Sequence, residues 1–356
     1  MPDLYGFPGD LFFSPECAVA TGEFLPYIQP VEARTVSTSC ENPFRENIIT
    51  CKDPYRDEFL KEVGGLSLDL PLSTRLRRVP TYIPILDVRT CRMCEQLGHV
   101  PIVGITLYDI LSGGCHFKAG RLHVTNNIRI RKTLLSGALR DKRVILFLSG
   151  SDTLIESVWN RRTECELFDT IRDMGFWAVT GFNFSVIGGE CAFAQALNLK
   201  RSLYSAYLIE QHGIQAIPHI YAISKQQVDR WIKWLEKNPS ISYFTMNCQL
   251  QKSRADIHQI ITAVSRILLS RPNIHAILQG FPILETVAFG NLHQRIHFAE
   301  SQPIKYAQSH RQALAQAGVG NSKYEFRHDR PIVEIMKVNV AQRKAQLAQI
   351  RRNLLK

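Results

Sequence analysis

Eight short apolar runs recur along the chain from about residue 80, and longer amphipathic stretches separate several of them. The runs are nearly continuous in hydrophobicity, which is typical of strands buried on both faces of a parallel sheet. They occupy residues 81–87, 100–106, 143–150, 176–181, 215–222, 242–247, 275–280 and 295–301. Helical periodicity is found over residues 153–174, 190–212, 225–237 and 254–270.

This alternation predicts an α/β fold. Eight βα units in about 240 residues match a (β/α)8 barrel in both number and length. A doubly wound open parallel sheet is the alternative architecture. The interval 107–142 is longer than the others and contains a candidate extra strand at Leu122–Val124.

Two segments flank the repeated units and complete the predicted domain organisation. Residues 1–75 are acidic and proline-rich, so we expect a loop-rich arm lying against the barrel-like domain of residues 76–320. Residues 321–356 form a basic tail with one helix over 331–356. Its apolar stripe predicts packing on the barrel rather than a coiled coil with another chain, because the stripe is short.

The composition narrows the class of protein. The chain has 356 residues, of which 45% are hydrophobic and 21% charged, which excludes a disordered or collagen-like protein. No apolar run approaches the roughly 20 residues of a membrane span. The opening MPDLYGFPGD lacks the pattern of a signal peptide. Nine scattered cysteines do not predict a disulfide framework, so we expect a cytoplasmic protein.

Polar residues stand at the carboxyl end of each predicted strand, where a barrel places its active site. Three carboxylates there are candidates for catalysis: Asp87, Asp152 and Glu300. His219 is a fourth catalytic candidate, because imidazole changes its charge near neutral pH. The candidate ligand-binding residues are hydroxyl and amide side chains at the strand ends: Ser151, Asn183, Ser185, Tyr221, Asn247 and Gln279.

Each catalytic candidate also has a purely structural interpretation. Asp152 is placed to cap the helix that follows it. Asp87 could form a surface ion pair with Arg89 or Arg92, and a histidine in an apolar run such as His219 is more often a core residue. The sequence leaves these alternatives open.

The sequence does not determine a cofactor. Two or three carboxylate oxygens at the strand ends would suit a divalent metal such as magnesium or manganese. Cys91 and Cys94 are the one closely spaced cysteine pair, and their spacing can provide two corners of a tetrahedral zinc site. A regular second pair is missing from the sequence, so two unrelated thiols on a helix are the alternative.

The charge is unevenly distributed. The formal net charge is +11, whereas residues 1–60 hold ten acidic and four basic residues, which gives −6 and leaves +17 for the rest. Basic clusters reward contact with phosphates, so we expect a nucleic-acid partner, with a solvated basic face as the alternative. The candidate nucleic-acid-binding residues are Arg129, Arg131, Lys132, Arg343, Lys344, Arg351 and Arg352. Phe117, Phe182 and Tyr221 are the candidates for base stacking.

Short motifs between residues 176 and 280 resemble a family from phages and mobile elements known as domain of unknown function 4417. They are Asn183-Phe184-Ser185, Gln195 and Asn198 before Lys200-Arg201, Gly213-Ile214, Ile217-Pro218 and Leu278-Gln279-Gly280. The resemblance covers less than a third of the chain and implies a barrel-like fold in a phage or plasmid context. This chain has Asn183 where the family usually has an acidic residue, which puts a metal-binding role for that turn in doubt.

Three functions are compatible with these observations. The first is a barrel protein of a mobile element or phage that acts on or binds nucleic acid or nucleotides. The second is a non-catalytic nucleic-acid-binding or replication accessory protein. The third is a small-metabolite hydrolase whose basic surface is incidental. The sequence leaves the reaction type, the substrate and the oligomeric state open.

Overall fold

The structure is a computed structural model. It describes residues 56–73, 76–91, 93, 97–98, 100–110, 117–118, 121–122, 142–163, 166–186, 192–251, 253–314 and 323–355. The predicted strand at Leu122–Val124 is found in part, as a two-residue hairpin strand over Arg121–Leu122, and Val124 lies outside the described residues.

Twelve strands are present among the described residues, and eight of them form one parallel sheet. The eight are β1 (Tyr82–Leu86), β2 (Ile102–Thr106), β5 (Arg143–Phe147), β6 (Ala178–Thr180), β7 (Ala216–Ile217), β8 (Tyr243–Asn247), β9 (His275–Gln279) and β10 (Ile296–Glu300). Two small antiparallel hairpins comprise β3 (Phe117–Lys118) with β4 (Arg121–Leu122), and β11 (Arg311–Ala313) with β12 (Tyr324–Phe326). Each of the eight predicted runs contains one of the barrel strands.

The parallel strands follow one another around the sheet in chain order, with β1 pairing β10 on one side and β2 on the other. The remaining gap, between β7 and β8, is closed by a parallel bridge between His219 and Thr245. There the Thr245 N–H donates to Pro218 O at 2.9 Å, and the Ile220 N–H donates to Thr245 O at 2.8 Å. The barrel prediction is therefore confirmed, and the open-sheet alternative, which would leave two free edges, is wrong.

Helices surround the barrel. They are α1 (Arg56–Val63), α2 (Val88–Cys91), α3 (Leu107–Ile110), α4 (Asp152–Asn160), α5 (Leu167–Met174), α6 (Ala192–Gln211), α7 (Lys225–Lys237), α8 (Arg254–Ser270), a 3-10 segment (Ile283–Arg295), α9 (Gln302–Gln308) and α10 (Ile332–Leu354). The predicted bounds of α7 and α8 agree with the structure, because Ser224 and Ser253 cap them. The predicted helix over 153–174 is two helices. No helix among the described residues is both long and apolar enough to cross a bilayer.

The barrel lumen is filled by alternate side chains of the strands. Ile85, Phe147, Ile217 and Ile277 belong to one buried cluster in the lumen, together with Leu76 and Val79 from the segment before β1. Gly104 gives Phe147 its room, since a Cβ at this position would lie 2.7 Å from the Phe147 ring. The middle of the barrel is therefore a packed core, which restricts a ligand site to its ends.

The C-terminal helix α10 packs on the barrel, as the short apolar stripe predicts. Ile335, Met336 and Val340 are fully buried on its inner face. Arg343 contacts Glu300 at the carboxyl end of β10, whereas Arg351 donates to the Ile296 carbonyl at the amino end of the same strand. Helix α10 therefore runs antiparallel to β10, and its N-terminus lies at the carboxyl end of the barrel.

Candidate functional site

Polar side chains meet inside the barrel at the carboxyl ends of the strands, a region we call the mouth. Gln279 at the end of β9 donates through Nε2 to Ser149 Oγ, just after β5, at 2.9 Å. The strands β5 and β9 lie four positions apart in an eight-stranded barrel, so this hydrogen bond spans the lumen. Both side chains are buried, and together they form a polar floor above the apolar core.

His219 lies at the same level of the barrel. Its side chain is on the same face of β7 as Ile217, which belongs to the cluster in the lumen. The backbone N–H of Asn247 donates to His219 Nε2 at 3.1 Å. The histidine is thereby held against β8 at the bridge that closes the barrel.

The hydrogen bond fixes the tautomer of His219. Because Nε2 accepts a hydrogen bond from a backbone N–H, the proton of the neutral ring is on Nδ1. Burial lowers the pKa of His219 to about 4, so the ring is neutral at pH 7. Nδ1 is buried and has no hydrogen-bond partner among the described residues. A neutral N–H donor inside the mouth, costly when unsatisfied, is suited to an oxygen or nitrogen acceptor of a ligand.

Two aspartates lie near each other where β1 and β2 end. Asp87 accepts from the Thr90 N–H at 2.8 Å and from the Gln308 side-chain amide. Asp109 accepts from Thr106 Oγ1 at 2.5 Å and is largely buried. Burial raises the pKa of Asp109 to about 6, the negative charge of Asp87 adds to the shift, and the positive charge of Lys305 opposes it. A carboxyl with this pKa can give or take a proton near neutral pH.

The alternative ion pair of Asp87 with Arg89 or Arg92 stays untested, because Arg92 and the side chain of Arg89 lie outside the described part of the chain. The Asp87 carboxylate is held by the neighbouring turn and by Gln308 on α9. This contact brings α9, which carries Lys305, over the ends of β1 and β2. Asp87 is therefore held at the carboxyl end of β1 by its own turn and by α9.

Asp152 forms a second polar cluster, at the ends of β5 and β6. Its carboxylate accepts from Ser185 Oγ at 2.5 Å. The neighbouring Ser151, rather than Asp152, caps α4 by accepting from the Leu154 N–H at 3.4 Å. Asn183 is half-buried in the same turn, where its N–H donates to Leu148 O at 3.0 Å. The structure thus brings three of the predicted ligand-binding residues and Asp152 together on one side of the mouth.

A buried ion pair packs against this turn. Arg201 on α6 donates to both carboxylate oxygens of Glu156 on α4, at 2.8 and 2.6 Å. The Arg201 guanidinium carbon lies 3.9 Å from the centroid of the Phe184 ring. Asn198, one turn earlier on α6, donates to Ser185 O at 2.7 Å. These contacts fix the backbone that carries Asn183 and Ser185.

Glu300 is not part of the mouth. It has the same parity along β10 as Phe298, so it faces outward toward α10. Arg343 binds it there, with Nε 2.6 Å from Oε1 and Nη2 3.2 Å from Oε2. The prediction of Glu300 as a catalytic residue has no support in this geometry, because its carboxylate is engaged on the outside of the barrel.

Tyr221 and Asn247, two of the predicted ligand-binding residues, form hydrogen bonds with side chain and backbone groups that follow β8. The Tyr221 hydroxyl accepts from Gln251 Nε2 at 2.9 Å, and burial raises the pKa of Tyr221 to about 12. Asn247 Oδ1 accepts from the Gln249 N–H at 3.1 Å. Tyr221 is half-buried, and its role in base stacking stays a prediction.

The predicted nucleic-acid-binding residues differ in whether the structure describes them and in what they contact. Arg129, Arg131 and Lys132 lie outside the described residues. Arg343 is bound to Glu300, and Arg351 donates to a backbone carbonyl, so these two guanidinium groups hold α10 in place. Lys344 and Arg352 are on the same helix, Arg352 being exposed and bonded to Gln349.

Two further predictions concern stacking and metal binding. Phe182 is completely buried against Trp159, and so cannot stack on a base; no side-chain geometry is described for Phe117. Cys91 is buried and Cys94 lies outside the described residues, which leaves the zinc prediction untested. In the part of the chain that the structure describes, no three His, Cys, Asp or Glu side chains are grouped to hold a metal ion.

Three residues of the site were not singled out from the sequence. Asp109 stands just beyond a strand end, and its position was visible in the sequence, but its burial was not. Lys305 and Gln308 reach the mouth only because α9 folds back over β1 and β2. No sequence signal marks such a tertiary approach.

Comparison with known proteins does not show which family the chain belongs to. A scan against family models matches no family, and a search of curated proteins finds no match. The resemblance to domain of unknown function 4417 therefore stays a prediction.

Proposed function

We propose that the mouth of the barrel binds a nucleotide, either free or at the end of a nucleic acid, and acts on it by acid–base chemistry. The observation that carries this proposal is the buried Nδ1–H of His219, which has no acceptor among the described residues. A phosphate or carbonyl oxygen of a nucleotide would accept from it. The phage or mobile-element context remains an expectation from the family resemblance.

The composition of the mouth supports a ligand rich in heteroatoms. The mouth presents neutral hydrogen-bond donors and acceptors in addition to His219, on Ser149, Asn183, Asn247 and Gln279. The amide groups among them suit the edges of a nucleobase. The excess of basic residues outside the N-terminal arm favours an anionic ligand over a neutral metabolite. A small-metabolite hydrolase is the second candidate. The observation that favours it is the buried polar floor formed by Ser149 and Gln279.

Asp109 is the residue that we propose for proton transfer. Its pKa of about 6 allows both protonation states near neutral pH, and Lys305 lies close enough to influence it. Asp152, hydrogen-bonded to Ser185, is the alternative at the end of the neighbouring strand β5. A non-catalytic binding protein would use the same mouth without either carboxyl.

The test is binding of a panel of mononucleotides to the purified protein by isothermal titration calorimetry, with His219→Leu as the variant. We expect the variant to lose at least about tenfold in affinity, the effect of one lost buried hydrogen bond. His293→Leu is the matched control, since His293 is equally buried but lies in the 3-10 segment outside the lumen. Equal affinities of wild type and His219→Leu would contradict the proposal.

A further inference from the structure

A cluster of partly and fully exposed aromatic and cationic side chains lies on the β11–β12 hairpin and the end of α9. We call it the aromatic rim. It comprises Tyr306, His310, Arg311, Tyr324, Phe326 and His328. Phe326 is 63% exposed and belongs to a contiguous group of rings, and it is a contiguous patch, rather than a single exposed side chain, that indicates a binding surface.

The rings of the rim are arranged in two groups. Phe326 and His328 are nearly parallel, with centroids 6.0 Å apart and an interplanar angle of 8°. His310 continues this group at 4.9 Å from His328. Tyr306 and Tyr324 form an edge-on pair with centroids 4.4 Å apart. Phe326 and His328 are exposed, and nucleobases stack on exposed aromatic rings of this kind.

Arg311 lies between the two groups. Its guanidinium carbon is 5.2 Å from the centroid of Phe326 and 5.8 Å from that of Tyr306. Its Nε is buried without a hydrogen-bond partner, and no acidic side chain pairs with it among the described residues. A partly buried cation without a counter-charge favours an anionic partner.

The charge of the hairpin agrees with this. Its acidic side chains, Glu325 and Asp329, both bind Arg327, at 3.1 and 2.8 Å. Lys323 is exposed, and Arg311 is half-buried with no acidic side chain paired to it among the described residues. A polyanion fits this surface better than an acidic or neutral protein segment does.

The rim is located at the same end of the barrel as the mouth. Helix α9 directly follows β10, and Gln308 near its end reaches Asp87. Helix α10, which follows the hairpin, runs down the barrel from this end, and the twelve residues from Ile332 to Arg343 span about 16 Å. A strand bound on the rim can therefore continue toward the mouth.

We propose that the aromatic rim binds single-stranded nucleic acid, with bases stacked on Phe326 and His328 and the backbone phosphate held by Arg311. This deepens the proposed function by naming a polynucleotide as the ligand whose terminus would enter the mouth. It does not require the mouth itself to be catalytic.

The test is fluorescence anisotropy of labelled twelve-nucleotide oligo(dT) and oligo(U) with the full chain at about 50 mM salt. We expect at least one of them to bind, and Phe326→Ala to weaken it about tenfold, as expected for loss of one base stack. Phe326→Trp should retain or improve the affinity. Leu269→Ala, which removes another exposed apolar side chain from α8, is the control and should leave binding unchanged.

A second variant tests the role assigned to the cation. Arg311→Gln should reduce the slope of log affinity against log salt by about 0.7, the value for one phosphate contact on a single strand. Lys233→Gln on the exposed face of α7 should leave the slope unchanged. Comparison of oligo(dT) with oligo(U) distinguishes DNA from RNA as the source of the ligand.

The outcomes separate the rim from the mouth. Failure of both oligonucleotides to bind, or binding that Phe326→Ala and Arg311→Gln leave intact, would overturn the rim proposal even if mononucleotides bind the mouth. Oligonucleotide binding that depends on Phe326 while mononucleotides fail to bind would support the rim and count against the mouth. Thermal denaturation of each variant confirms that it is folded.

Discussion

Arg201 and Glu156 form a bidentate ion pair in the interior of the protein, with Arg201 completely buried. The pair joins α6 to α4, and the guanidinium lies against the face of Phe184 in the turn that carries Asn183 and Ser185. Burying two charges costs several kcal/mol, which their mutual attraction offsets only when the geometry is good. The pair therefore fixes one arrangement of the turn at the mouth more than it adds net stability.

Removing one partner of this pair should be strongly destabilising. We expect Arg201→Met to lower the free energy of unfolding by about 3–5 kcal/mol, because Glu156 is left as a buried, uncompensated charge. The double variant Arg201→Met with Glu156→Leu should recover most of this loss. Urea denaturation measures both effects.

The control for this prediction is Arg172→Met, which removes an exposed pair with Asp169 and Asp173. Exposed pairs contribute about 0–1 kcal/mol, so this variant should unfold nearly as the wild type does. A similarly small effect of Arg201→Met would show that the buried pair is not the constraint that the geometry implies.

The strands could be predicted from the sequence, whereas the direction of their side chains could not. Strands of a parallel barrel are buried on both faces, so hydrophobicity alone does not tell which alternate residues face the lumen. Asp87 follows β1 with the parity of the lumen, whereas Glu300, at the end of another strand, has the outward parity and binds Arg343. The position of Lys305 near Asp109 depends on the path of α9, which no local pattern encodes.

The pair between Glu300 and Arg343 should act on stability and not on nucleic-acid affinity. Arg343→Gln removes the partner of a carboxylate that is 7% exposed, so we expect a loss of about 2–4 kcal/mol in the free energy of unfolding. The salt dependence of oligonucleotide binding should be unchanged, because this guanidinium is committed to Glu300. A reduced salt slope in a folded Arg343→Gln variant would return Arg343 to the phosphate-binding surface.

Asp109 should make the protein less stable as the pH rises from about 4 to 6. Its pKa is raised from the unfolded value of about 3.9 to about 6 in the folded state, so the folded state binds the proton more tightly in this window. The contribution to stability is present below pH 4 and lost as the pH rises through 6.

Asp109→Asn should remove this contribution, which has a slope of at most about 1.4 kcal/mol per pH unit. Relative to wild type, the variant should become more stable with rising pH, as measured by urea unfolding at several pH values. Asp173→Asn, at an exposed position on α5, should show no such trend. Parallel curves for wild type and Asp109→Asn would mean that Asp109 is ionised in the folded protein well below pH 6.

The opposite pH dependence should come from two histidines at the amino end of the barrel. His297 Nδ1 donates a hydrogen bond to Pro80 O at 2.9 Å. Its Nε2 therefore accepts the hydrogen bond that His275 Nδ1 donates at 3.0 Å. Tyr243 stacks on His275 with centroids 4.9 Å apart. Protonation of His297 would place two N–H groups against each other, and burial together with this arrangement lowers the pKa of His297 to about 3.

The unfolded chain therefore takes up a proton at this histidine near pH 6.5, whereas the folded chain does so only near pH 3. The stability contributed by neutral His297 is fully present above pH 6.5 and is lost as the pH falls toward 3, with a slope of up to about 1.4 kcal/mol per pH unit. His297→Gln keeps a donor for Pro80 O and should be less stable at pH 7 but lose less on acidification. His258→Gln, at an exposed site on α8, provides the baseline for urea unfolding between pH 4 and 7. If His297→Gln and wild type lose stability equally over that range, the histidine pair is not the acid-sensitive element at this end of the barrel.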